Sequence, residues 1–193
     1  MIAAIVRLIG WLLGSAPRES ANVTVPPAEE PPYRLHVPRS LMHALRDMTR
    51  PNQEHGEPLA FLLVRFASED SRTILVGIGA LPFPNSAYVD GPAGANFDTD
   101  WAVAVANEQI AENTGLLLVH SHYGKGVPGF SGIDQQTNRT VMGALAVGVK
   151  TAPYGAMVLS DTDARCVLSV SRALTNVKVV VVPDLIGDLR VTA

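Results

Sequence analysis

Leu116-Leu117-Leu118-Val119-His120-Ser121-His122 ends on two histidines one residue apart, and Ser131-Gly132-Ile133-Asp134 follows after eight more residues. The aliphatic run predicts a buried strand over Leu116 to His122. Side chains at i and i+2 of a strand point to the same face, so this strand delivers two imidazoles to its own end. A carboxylate one loop further on can join them. Two imidazole nitrogens and one carboxylate oxygen make three legs of a tetrahedron, the ligand set of a catalytic zinc site whose fourth position is left for water.

Working outward, residues 123–132 read as a loop with four glycines and Pro128, and Asp134 to about Val147 as a helix. On the amino-terminal side, Asp98 or Thr99 can cap a helix that runs to about Glu112 and is broken by Gly115. Leu59 to Phe66 and Thr73 to Leu81 are apolar runs of strand length, the second closed by Pro82 and Pro84. Tyr33 to Val37 predicts a first strand, and Pro38 a helix start, with Leu41, Met42, Leu45 and Met48 at helical spacing. Late in the chain, Ala156 to Ser160 and Arg165 to Ser171 form a hairpin around Asp161-Thr162-Asp163, and Val177 to Val182 is the last strand. Strands and helices alternate, which predicts an α+β fold, an α/β/α sandwich-like arrangement of a mixed, largely antiparallel curved sheet flanked by helices.

The chain has 193 residues, enough for one domain and a tail. Hydrophobic residues are 47% and charged residues 17%, so a substantial core can form. Net charge is −3, without the basic footprint of a nucleic-acid binder. One cysteine, Cys166, excludes an internal disulfide and points to a cytoplasmic, reducing compartment. It reads as a small buried hydrophobe. Met1 to Gly14 is apolar except for Arg7 and too short to span a bilayer. It is expected to be a helix that docks on a partner, a second copy or a membrane surface, or that packs on its own domain. Ser15 to Pro32, with five prolines, is a linker, and the folded domain runs from Tyr33 to about Val191. Asn22-Val23-Thr24 and Asn138-Arg139-Thr140 match glycosylation sequons by chance. Lys125 between two glycines is no phosphate loop, since Gly-Lys-Ser/Thr is missing.

A metal hydrolase also needs a base beside its water and a donor for the developing oxyanion. Glu57, just ahead of the strand Leu59 to Phe66, is the expected base, with Glu54 as the fallback. Ser131 is the expected oxyanion donor. Ser131-x-x-Asp134 is equally a helix-capping arrangement, and one residue can do both. His36, His43 and His55 read as surface or packing residues.

H-S-H, a loop, then S-x-x-D, with a glutamate upstream at a strand start, resembles the JAMM (MPN+) zinc metalloprotease family, over about Tyr33 to Ser171 and most of all its small bacterial members. The resemblance implies an MPN, cytidine-deaminase-like fold. It also implies one zinc on His120, His122 and Asp134, Glu57 as general acid/base, and Ser131 supporting the tetrahedral intermediate. Three features depart from the family pattern. Tyr123 stands where members have Pro, the spacing from second His to Ser is eight residues rather than seven, and Ala60 takes the place of a Gly after the Glu. By this resemblance the protein would cleave the peptide or isopeptide bond after the glycine tail of a ubiquitin-like protein, with the tail added to a sheet edge beside the metal. The alternative is a non-catalytic module that holds a ubiquitin-like partner.

Overall fold

The computed structural model describes residues 31–50, 57–69, 72–88, 97–109, 114–148, 154–170 and 173–184. Residues 1–30, and with them the expected amino-terminal helix and most of the linker, lie outside that set, as do Glu54 and His55. Seven strands are described: β1 (Tyr33–Pro38), β2 (Ala60–Glu69), β3 (Arg72–Pro82), β4 (Thr114–Ser121), β5 (Tyr154–Leu159), β6 (Ala164–Val170) and β7 (Ala173–Val182). Three α-helices accompany them: α1 (Arg39–Met48), α2 (Thr99–Gln109) and α3 (Gly132–Gly148). Each falls where the periodicity places it, within a few residues at its ends.

The architecture differs from the expected sandwich. The strands form a closed barrel in the order β1-β3-β2-β4-β5-β6-β7. β1 pairs in parallel with β3 on one side (Leu35↔Leu75) and with β7 on the other (Leu35↔Val179). That second pairing turns a curved open sheet into a barrel, so the fold is mainly β rather than an α+β, MPN-like sandwich. The parallel pairing of β4 with β5 (His120↔Val158) and the antiparallel pairing of β4 with β2 (Ala60↔Val119) set β4 deep in the sheet. Closure also supplies a cap. α1 begins after Pro38 with no capping side chain of its own, and Asp184, just past β7, accepts hydrogen bonds from the Ser40 backbone N–H (2.9 Å) and hydroxyl (2.7 Å). A carboxylate at a helix start satisfies the free N–H groups and the positive end of the helix dipole.

Apolar side chains fill both faces of the barrel wall. Inward, Leu35, Leu62, Leu75, Leu117, Val119, Met157, Leu159 and Leu168 meet Met42 and Leu45 of α1, which closes one end. Outward, Phe61, Leu116, Leu118 and Ala156 pack against Ala102 and Ala106 of α2 and Val141, Met142 and Leu145 of α3. All eight residues of β4 are therefore buried, although a strand covered on one face would alternate. Gly155 sits at a close approach in the inner layer, where a Cβ would meet the Val167 carbonyl oxygen and Leu117. Among the described residues no helix is long and apolar enough to cross a membrane.

Candidate metal centre

Strand alternation carries Leu116 and Leu118 to the outer layer, and His120 follows them on the same face. His122 comes one residue past β4, its backbone N–H donating to the Leu159 carbonyl (2.9 Å), so the β4–β5 ladder holds it in line. The two rings stand 4.9 Å apart, centroid to centroid, at 62°. Ser121, between them, faces inward, and its hydroxyl meets that of Thr49 at the end of α1 (2.5 Å).

Asp134 arrives from the first turn of α3. Its backbone N–H donates to the Ser131 hydroxyl oxygen (3.1 Å), while its Oδ2 accepts the Ser131 N–H (2.6 Å), a reciprocal cap. That arrangement aims the carboxylate at both rings: His120 Nε2 lies 3.3 Å from Oδ1 and His122 Nε2 3.4 Å from Oδ2. The loop before α3 is fastened from below. Asp161 N–H donates to the Gly124 carbonyl (2.9 Å), the Ser160 hydroxyl to the Gly126 carbonyl (2.7 Å), and Gly126 N–H to the Thr162 hydroxyl (2.9 Å). Gly124 and Gly126 adopt φ of 113° and 88°, which only glycine takes without strain.

Glu57 enters from the segment ahead of β2. Leu59 pins that segment: its N–H donates to the Tyr88 hydroxyl (2.8 Å) and its carbonyl accepts from Phe83 N–H (3.0 Å). One ligand atom from each of Glu57, His120, His122 and Asp134 falls within 4.8 Å of every other. These four residues can hold a metal ion. The spacing is compatible with a shared cation. A hydrogen-bonded N···O pair closes to about 2.9 Å. Ligands about 2.0–2.1 Å from a common tetrahedral cation stand about 3.3–3.4 Å apart along the tetrahedron's edge. Both histidine–aspartate distances are of that length, each to a different carboxylate oxygen. His120 Nε2 is shut off from solvent and makes no hydrogen bond among the described residues, a buried polar atom left without any other partner.

Electrostatics prepare the same groups. Burial pushes the His120 imidazole below its ordinary value, Asp134 opposes this, and His122 adds to it, which favours the neutral ring. Burial would raise the Asp134 carboxyl, but hydrogen bonds from Ser131 and the nearby histidines outweigh it and hold the group below the usual carboxylate range. Neutral imidazoles and an ionised carboxylate are the forms that bind metal.

All four residues expected around the metal are thus together, and Ser131 is at the helix start expected of it, bonded to Asp134. His36 and His43 lie on β1 and α1, outside the cluster. Cys166 is buried in the inner layer and its thiol is pushed up by burial, so it is no nucleophile. Three neighbours escaped the sequence analysis. Asn138, one turn past Asp134, lines the same cavity as Glu57, His120 and Asp134. Arg46 on α1 and Arg50 just after it wall a separate cleft with His122 and Tyr123. The i, i+4 spacing of Asp134 and Asn138 was the available signal for the first. Nothing local connects α1 to β4.

No family model and no curated protein matches the chain. Among solved structures, the solution structure of protein DSY2949 from Desulfitobacterium hafniense is similar at a TM-score of 0.46 and 11% identity, over 79% of this chain and 95% of that one. A likeness at that level says nothing about function.

Proposed function

We propose that the protein is a zinc-dependent peptidase of the JAMM type that hydrolyses the bond after the glycine tail of a ubiquitin-like protein. The observation that carries this reading is the convergence of Glu57, His120, His122 and Asp134, one ligand atom of each within 4.8 Å of every other. Zinc, when bound to His120, His122 and Asp134, supplies a Lewis acid and makes water more acidic. Glu57 takes the proton of the attacking water as its oxygen bonds to the substrate carbonyl carbon. The same carboxyl returns that proton to the leaving nitrogen as the C–N bond breaks, leaving an acid and an amine. Ser131 accepts Asp134 N–H through its oxygen and so keeps its own proton to donate to the developing oxyanion.

Substrate access fits an extended chain. A groove lined by Phe97, Thr99, Gln136 and Thr140 shares Ile133 and Thr137 with the cavity at Glu57 and His120. A separate cleft is lined by Arg46, Arg50 and His122. Tyr123, Val127 and Ile133 leave large apolar surfaces exposed around this path (77%, 73% and 61%). The closed barrel favours a different binding mode from addition to a sheet edge. Because the barrel is closed, β4 is hydrogen-bonded on both sides along most of its length, and among the described strands no free edge runs beside it for a tail to join. A tail would lie in the groove between α3 and the segment around Phe97 instead.

The test is hydrolysis of a ubiquitin-like protein fused through its Gly-Gly terminus to a reporter amine. Zinc-loaded protein should release the reporter, a chelator should stop release, and zinc should restore it. Release that persists in chelator would refute the metal mechanism, and tight binding without release would leave a binding module.

A further inference from the structure

Asn138 is 3% exposed on the inner side of α3, one turn after Asp134. Its carboxamide atoms are not among the fully enclosed polar atoms left without a partner among the described residues, as fits a side chain that opens onto a cavity. Burying a carboxamide is unfavourable unless it meets a polar partner, so its place at a cavity wall points to a partner inside that cavity. The cavity that Asn138 lines is small, ≈ 30 Å³, and shared with Glu57, His120, Asp134, Leu118 and Thr137. A space of that size admits about one or two waters and no substrate side chain. Water there needs several polar partners, and Asn138 offers both a donor and an acceptor beside the Glu57 carboxylate. The same burial bars Asn138-Arg139-Thr140 from glycosylation.

We propose that Asn138 is a further catalytic residue, whose carboxamide holds the attacking water against Glu57 and the metal ligands. The proposal rests on the hydrolytic reading of the site. An asparagine suits the task because it orients water without competing with Glu57 for its proton, and because it stays neutral at every working pH. Its place on the first turns of α3 ties its position to that of Asp134, so ligand and water-holding group move as one rigid element.

Two measurements test this. The first is a high-resolution structure of the zinc-loaded protein. A water within hydrogen-bond distance of both the Asn138 carboxamide and Glu57 is expected, and a dry cavity overturns the proposal whatever the activity. The second is Asn138→Leu, which keeps the volume and removes the polar group. It should keep its zinc and melt no lower than wild type, yet lose about 10–100-fold in kcat with little change in KM. Asn138→Ser, which can still hold water, should recover part of the loss. A leucine variant with wild-type kcat, or one that loses activity only in proportion to lost folded protein or zinc, contradicts the proposal. Wild-type protein that holds the water but cleaves nothing refutes the peptidase reading itself, and with it the catalytic role of Asn138.

Discussion

Glu57→Gln is expected to lower kcat by about 10²–10⁴-fold while the protein still carries one zinc per chain. Glutamine keeps the size and hydrogen-bonding reach of the side chain but cannot take a proton from water. The anchoring of Leu59 by Tyr88 and Phe83 does not involve the carboxylate, so the segment keeps its shape. Glu57 also lies within ligand distance of the cluster, which allows a second role as a metal ligand. Zinc content and rate separate the two. Loss of rate with zinc retained identifies the base, and loss of both identifies a ligand. Turnover at the wild-type rate would remove Glu57 from the mechanism.

Asp134→Asn is expected to abolish activity by loss of metal rather than loss of fold. Asparagine can still accept the Ser131 N–H through its carbonyl and retain most of the helix cap, itself worth about 1 kcal/mol. What disappears is the charge facing His120 and His122. If an apparent zinc-binding free energy of about 10–16 kcal/mol is shared among the ligands, losing one weakens binding by roughly 3–5 kcal/mol, or about 10²–10⁴-fold. The stability of the metal-free variant should stay close to that of metal-free wild type in urea denaturation. A variant that holds zinc as tightly as wild type would contradict the ligand assignment. A variant that fails to fold without metal would show that Asp134 serves the cap before the site, and His122→Ala, whose ring is partly exposed, would then carry the test.

Much of the site was legible in the sequence because its parts are local. The aliphatic run ending in His120 and His122 announces a strand whose last residues share a face, and Ser131-x-x-Asp134 announces a helix start that aims its carboxylate back over the loop. Glu57 could be placed only relative to β2, whose antiparallel pairing with β4 brings its start beside the histidine end. Closure of the barrel was not legible. It depends on β1 meeting β7 across about 140 residues, and a half-exposed strand such as β7 has the same pattern whether its outer edge is paired or free. The full burial of β4 follows from the same closure, since it takes both an inner core with α1 and an outer layer of α2 and α3 to cover both faces. Arg46 and Arg50 share a cleft with His122 only because α1 caps the barrel end where β4 finishes, and no spacing in the sequence records that.

X-ray absorption at the zinc edge of the purified, zinc-loaded protein tests the central claim most directly. Two imidazole nitrogens and light oxygen ligands at about 2.0–2.1 Å, four in all, with the imidazole signal reduced in His120→Ala, are the expected result. A sulfur shell, a hexaaquo-like spectrum, or a signal untouched by loss of His120 would place the ion elsewhere and contradict the assignment.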